Sequence, residues 1–321
     1  MKRFSNILLI AEEGSDQPAA LQRAITLAKN NQAALTICSV VDAVPAEIQM
    51  GITTVTPSEL YDIAITEKCL QLESILENIA EEGVPISTKT LVGNPFIEII
   101  RQVSVNRHDL VIKSTEGDTG LKEMLFGSTD MHLMRKCPCP LWIIKSTKHK
   151  RYRRILAAVD RDPGDAVKDV LNRQILEMAT SLALAEFSEL HIVHAWYLFG
   201  ESILRSRRTG FSDAEVDAMA AGEASERRQW LENLVKAYGV KADKGAVEYL
   251  GPQLHLIQGD PQQIIPTTAQ DLDADLVVMG TVARVGIPGY FIGNTAESIL
   301  NQIDCSVLTI KPPGFVSPVE P

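Results

Sequence analysis

Two stretches, GNPFIEIIRQVSVNRHDLVIKST at residues 93–115 and GDPQQIIPTTAQDLDADLVVMGT at 259–281, share a Gly-x-Pro opening and an Asp-Leu-Val close. The match continues without a gap to residues 145 and 311, with thirteen identical positions in 53. Among them are Gly93/Gly259, Pro95/Pro261, Asp109/Asp275, Thr115/Thr281, Gly127/Gly293, Cys139/Cys305 and Lys145/Lys311. The chain starts align at a shorter offset, NILLIAE at 6–12 against RILAAVD at 154–160, so the second copy carries about 18 extra residues before its Gly-Asp-Pro. A single repeat of about 150 residues marks a duplicated domain and excludes a solenoid, whose periods are 20–50 residues. The reading is two domains, 1–147 and 151–312, joined within 146–153 and followed by a tail at 313–321.

Each copy alternates strand and helix signals. Ile7–Ala11 is a continuous apolar run, as a strand covered on both faces should be. Leu21, Ala24, Ile25 and Ala28 follow at helical spacing. Thr56-Pro-Ser-Glu59 and Ser212-Asp-Ala-Glu215 are matching capping boxes that open long helices. The apolar face of the first helix is predicted from Leu60, Ile63, Ala64, Leu70, Ile75, Leu76, Ile79 and Ala80, with Gly83 ending it. That of the second is predicted from Val216, Met219, Ala220, Trp230, Leu231, Leu234, Val235 and Tyr238. Strands in the second copy are expected near 154–159, 190–196, 253–258, 275–280 and 306–311. Alternating β and α implies a parallel sheet covered on both faces. The expected fold is therefore α/β, two five-stranded parallel-sheet sandwiches in tandem.

The chain has 321 residues, 45% hydrophobic and 22% charged, an ordinary globular balance that excludes disordered and collagen-like classes. Its longest apolar runs fall far short of the roughly 20 residues a membrane span needs. The opening MKRFSN leads into a run too short for a signal-peptide core, so the cytoplasm is the expected compartment. A net charge of −10 disfavours general nucleic-acid binding. The one basic stretch, KSTKHKRYRR at 145–154, reads as a linker or an anion-binding patch.

Ligands of doubly wound sheets bind at the carboxyl ends of the strands, where strand order reverses. Asp160 follows the first strand of the second copy, and a glycine-rich loop, GTVARVGIPGYFIGNT at 280–295, follows its fourth. Such a loop lets backbone N–H groups approach a phosphate, and the helix start beyond it adds unpaired donors. Asn294 or Thr295 can also cap that helix. The same glycines serve equally as a tight turn packing helix on sheet, and Asp160 as a turn or capping residue. Arg284 faces a phosphate or solvent.

The whole chain resembles a tandem universal stress protein of the E-type, on the strand-one acids Glu12 and Asp160, the Gly-Asn-Pro and Gly-Asp-Pro before the third helices, the Asp-Leu-Val pairs, the glycine loop and the closing lysines. The resemblance implies the adenine-nucleotide alpha-hydrolase-like fold, a stress-response role, and a pseudo-dimer in which the final strands of the two domains pair. It also implies ATP as a possible cofactor. Nucleotide-binding members carry Gly-x2-Gly-x9-Gly-Ser/Thr in the loop. The second copy supplies Asp160, Gly280 and Gly293 but has Ala283 at the middle glycine and Asn294 at Ser/Thr, with Gly286 and Gly289 nearby. The expected ligand site is thus Asp160, Gly280, Ala283, Gly286, Gly293, Asn294 and Thr295. The weaker first-domain equivalents are Glu12, Gly117, Gly127 and Ser128, with Ser114 at the opening glycine.

His191-x-x-His194 on a strand faces two sides, so no metal site is expected. Cys137-Pro-Cys139 lacks the spacing of redox and zinc pairs. There is no phosphate loop with Gly-Lys-Ser/Thr and no nucleophile elbow. A ligand-binding module without turnover is expected, with slow ATP hydrolysis left open. The alternatives are an interaction scaffold with degenerate, empty sites, or a binder of hydrophobic anions. The last rests on YLFGESILRSRRTGF at 197–211, read as a lid or as a surface helix with a basic face.

Overall fold

The computed structural model describes residues 4–12, 17–42, 56–79, 83–115, 126–145, 151–206, 208–241, 244–281 and 293–321. They divide into two compact units, one built on Met1–Ser146 with Phe315–Pro321, the other on Thr147–Val285 with Gly293–Gly314.

The first unit runs β1 (Asn6–Ile10), α1 (Gln17–Asn31), β2 (Ala34–Val41), α2 (Pro57–Ile79), β3 (Ile86–Val92), α3 (Pro95–Asn106), β4 (Leu110–Ser114), α4 (Ser128–Lys136) and β5 (Leu141–Ile144). Its strands pair in parallel in the order β3-β2-β1-β4-β5. The second unit runs β6 (Arg154–Ala158), α5 (Ala166–Glu186), β7 (Glu189–Trp196), α6 (Glu201–Leu204), α7 (Asp213–Lys241), α8 (Lys244–Leu250), β8 (Gln253–Gln258), α9 (Pro261–Asp271), β9 (Leu276–Gly280), α10 (Asn294–Leu300) and β10 (Ser306–Ile310). Its parallel order is β8-β7-β6-β9-β10. Central strands are apolar on both faces: Ile7, Leu8, Leu9, Leu110, Val111 and Ile112 are all fully buried. Strand order reverses at β1/β4 and at β6/β9, which places a crevice at their carboxyl ends.

Most of the repeated residues turn out to be fold signals. Asp109 accepts from the N–H groups of Ser5 and Asn6, at 2.6 and 3.0 Å, and Asp275 from those of Arg153 and Arg154, at 2.6 and 3.1 Å. Each carboxylate thereby ties the start of a first strand to the start of a fourth. Gly93 and Gly259 have φ of +140° and +151°, and a side chain at either would collide with Glu98 or Ile264. Pro95 and Pro261 begin α3 and α9, where a missing N–H costs nothing. Asp260 caps α9 by accepting from the Gln262 N–H at 2.9 Å.

Three helical expectations need correction. Ile63 and Leu70 are 57% and 60% exposed, while Leu72, left out of the predicted face, is 2% exposed. With the stripe set by Leu72 and Ile79, an advance of 100° per residue puts positions 63 and 70 on the opposite side. On α7, Met219 lies off the buried stripe of Val216, Leu231 and Tyr238 for the same reason. The short helix α8 was not anticipated, because it is not long enough to show a period, and α6 falls in the stretch read as a lid or a surface helix.

Candidate functional site

At the carboxyl ends of β1 and β2 the first unit opens a cavity of about 280 Å³ against α2. It is lined by Ala11 and Glu12 after β1, Ser39 on β2, and Gln71, Leu72 and Ser74 on α2. Glu12 does not stand alone in its wall. The Lys113 ammonium, on β4, lies 2.5 Å from Glu12 Oε2 and 2.7 Å from Asp130 Oδ1. It also donates to the Ser114 carbonyl at 3.1 Å. The Lys113 and Asp130 side chains are fully buried and Glu12 is 23% exposed. Burial pushes the lysine pKa down, but the Asp130 and Glu12 carboxylates more than offset that and raise it above the ordinary value. The ammonium is therefore a fixed charge. Asp130 sits in the first turn of α4 and accepts from the Gly127 N–H at 3.3 Å, so the cluster links the cavity wall to the start of that helix.

The second unit uses the corresponding strand ends differently. The Asp160 side chain is 65% exposed and its Oδ2 accepts from Lys168 at 2.8 Å. Its backbone is clamped by Asn172, which accepts from the Asp160 N–H at 3.1 Å and donates to its carbonyl at 2.7 Å. Burial lowers the Lys168 pKa, and Asp160 with Asp162 outweighs this to raise it. On β7, His194 is fully buried. Its Nδ1 lies 3.1 Å from the Val159 carbonyl and its Nε2 3.0 Å from Arg227 Nη1. A carbonyl only accepts and a guanidinium only donates, so the ring is neutral with its proton on Nδ1. Burial, with Arg227 and Arg161 adding to it, lowers the His194 pKa despite the Val159 carbonyl and Asp160. The ring lies 5.0 Å from Trp230, and Arg227 stacks over Trp196 while pairing with Glu223 at 2.6 Å.

Gly280 closes β9, and a side chain there would come within 2.7 Å of the end of the Leu171 side chain of α5, which would have to shift. Gly293 caps α10, its N–H donating to the Thr281 carbonyl at 3.0 Å. Asn294 and Thr295 begin that helix exposed, and neither caps it; the expectation that one would is corrected by Gly293 taking the position. Thr281 is buried, with Lys311 Nζ donating to its hydroxyl at 2.6 Å, which accounts for the repeated closing lysine in this copy. Gly127 and Ser128 lie at the start of α4. Ala283, Arg284, Gly286, Gly289 and Gly117 lie outside the described residues. Thus Glu12 is brought to a cavity, while Asp160, Gly280 and Gly293 are held by intramolecular contacts. Ser39, Gln71, Lys113 and Asp130 were missed. A charge at the end of the otherwise apolar run Leu110–Ile112 was the available signal for Lys113, since a lysine there has to find carboxylates.

The segment after β7 presents its apolar side chains outward: Tyr197, Phe199 and Ile203 are 59%, 89% and 66% exposed. Arg205 pairs with Glu201, Asp213 and Asp217, so it does not form a free basic face. His191 and His194 face opposite sides of β7, and His191 Nδ1 lies 3.0 Å from His255 Nε2. The described residues contain no group of three or more side chains able to hold a metal. No helix among them is long and apolar enough to cross a membrane.

The universal stress protein family model matches residues 3–145 and again 151–311. Universal stress protein E of Salmonella typhi is 28% identical over 325 residues, covering 100% of this chain and 98% of that protein. Its namesake in Escherichia coli K12 is 28% identical over 327 residues with the same coverage. Among solved structures, a functionally unknown protein from Pseudomonas aeruginosa PAO1 matches with a TM-score of 0.72 and 26% identity, covering 97% of this chain and 94% of its own. A universal stress protein from Archaeoglobus fulgidus shares the fold, with a TM-score of 0.61 at 18% identity over 95% of this chain and 98% of its own. With two matched domains filling nearly the whole chain, this protein belongs to the universal stress protein family, in the tandem form shared by its E-type relatives.

Proposed function

We propose that the protein is a ligand-binding stress-response module of the cytoplasm, acting without turnover, and that an adenine nucleotide occupies its first unit. The observation that carries this is the 280 Å³ cavity at the carboxyl ends of β1 and β2, with the Glu12 carboxylate in its wall. The resemblance to nucleotide-binding members implies that the strand-one acid faces adenine, and a carboxylate is the acceptor an exocyclic amino group needs. The apolar side is supplied by Leu72 and Ile75. The cavity's size is close to the lower end of the range for small-molecule sites, about 300 Å³. Intramolecular pairing of the two final strands belongs to the same proposal. The second unit's strand end is the alternative location: Asp160, 65% exposed, pairs with Lys168 as Glu12 pairs with Lys113. An interaction role is the second reading, favoured by the exposed Tyr197, Phe199 and Ile203.

Titration calorimetry of the full chain with Mg-ATP and with AMP tests the reading. Saturable binding is expected, weakened at least tenfold, about 1.4 kcal/mol, in Glu12→Gln. Absence of binding for both nucleotides, with no shift in melting temperature, would remove it in favour of the interaction role.

A further inference from the structure

The two repeats hold their strand-end acids by different means. In the second unit, a partly exposed lysine of α5, Lys168, reaches Asp160. In the first, the lysine comes from within the sheet. Lys113 lies on β4 opposite Ile10 of β1, and its side chain is shut off from water. The repeat counterparts of Lys113 and Asp130 are Met279 and Ala296, both buried. The fold therefore accepts an apolar pair at these two positions, and a buried charge cluster adds little stability over one. What the charged pair acts on is Glu12. An ammonium 2.5 Å from its Oε2 favours the ionised carboxyl and fixes it in the cavity wall. Asp130, 2.7 Å from the same ammonium, keeps that ammonium charged and in place. Among the described residues, β2 and α2 bring only uncharged side chains to the wall: Ser39, Gln71, Leu72, Ser74 and Ile75.

We infer that Lys113 and Asp130 are positioning residues that hold Glu12 as an acceptor-only group, so that the first unit's cavity takes a ligand presenting an N–H donor at that wall, an aminopurine, and turns away the 6-oxopurine that presents a carbonyl there. The inference rests on the ligand-binding reading above and adds to it which bases the site admits and which residues decide. An ionised carboxylate accepts hydrogen bonds and cannot donate one. A ligand carbonyl against it would set two acceptors face to face, both stripped of water and with no proton between them. A site built around one hydrogen-bond polarity rejects the wrong analogue far more strongly than a site that only fits its shape.

Titration calorimetry of the full chain with AMP and with IMP, at about pH 7 and about pH 5, tests this. The wild type should bind AMP at least about tenfold more tightly than IMP at both. Glu12→Gln, whose amide donates as well as accepts, should bring that ratio close to one. Lys113→Met combined with Asp130→Ala gives the first unit the second unit's own residues, and should recover the melting temperature lost in Lys113→Met alone. Its preference for AMP should fall at least about threefold from the higher pH to the lower, because a half-buried carboxyl without its ammonium takes up a proton that it can donate. A merely structural cluster would move stability and leave the ratio alone. Glu12→Gln keeps the Lys113–Asp130 pair and decides the matter if the double variant does not fold. Equal binding of AMP and IMP by the wild type, a ratio that Glu12→Gln leaves unchanged, or a ratio in the double variant that does not respond to pH would overturn the inference while the ligand-binding reading stands. Binding of neither nucleotide by the wild type would remove that reading and the inference with it.

Discussion

At position 113 a lysine stands where the second copy has Met279, in a strand whose other central residues are apolar. Its ammonium, shut off from water, persists because two carboxylates reach it. Such a cluster adds little stability over an apolar core, yet breaking one arm leaves uncompensated buried charge. Lys113→Met should therefore cost about 3–5 kcal/mol, as estimated for a broken buried ion pair. Hydrogen exchange of the β1 and β4 amides checks this, since it reads the opening free energy of the affected strands. Unchanged protection would show that Glu12 and Asp130 find other partners. The reciprocal change, Met279 to lysine, has no carboxylate waiting at Ala296, the counterpart of Asp130.

At the scale of elements, the turn from β3 into α3 and that from β8 into α9 follow one design. A glycine at positive φ, a polar residue at the N-cap position, whose side chain caps only in α9, and a proline send the chain from strand end to helix start within three residues. The glycine is required by backbone conformation, since L side chains rarely adopt φ of +151°. Gly259→Ala should lower the stability of the second unit by about 1–3 kcal/mol, the cost of a residue forced into a sparsely populated region. Thermal unfolding reads that loss. A drop no larger than an exposed surface substitution would mean that Ile264 and the turn relax around the methyl group. The long helices obey the same logic less strictly. Capping boxes at Thr56 and Ser212 fix where they start, with Glu59 and Glu215 hydrogen-bonded back to the cap. The apolar residues in between then divide among a buried stripe and exposed positions such as Ile63 and Leu70.

At the scale of the whole molecule, each unit holds two histidines whose pKa lies below the ordinary value, His108 and His132 in the first and His194 and His255 in the second. His194 is pushed down by burial, and His255 by burial and then by the neighbouring His191 ring 3.0 Å away. On the sheet face that carries His191 and His255, Glu189 also lies 3.5 Å from His191. A group whose folded-state pKa lies below its unfolded value binds its proton more readily in the unfolded chain. The second unit should therefore be most stable above the ordinary histidine pKa of about 6.5 and lose stability as pH falls from there to the lowered folded values. Chemical denaturation across that window checks the sign. His194→Gln should flatten the slope by up to about 1.4 kcal/mol per pH unit. A slope unchanged by that substitution would move the acid sensitivity to His255.

The sequence by itself determined the duplication, the parallel α/β class and nearly every strand and helix. These follow from local rules: apolar runs for buried strands, caps and glycines at helix ends, and identity between copies. It also marked the strand ends as the place for a ligand and named Glu12 and Asp160 as the acids there. Only the tertiary structure decided what holds each of those acids. Asp160 is taken by a lysine eight residues on, while Glu12 is held in a cavity wall by Lys113, a hundred residues away. Which lysine a strand-end acid meets is fixed by packing over distances no local pattern encodes.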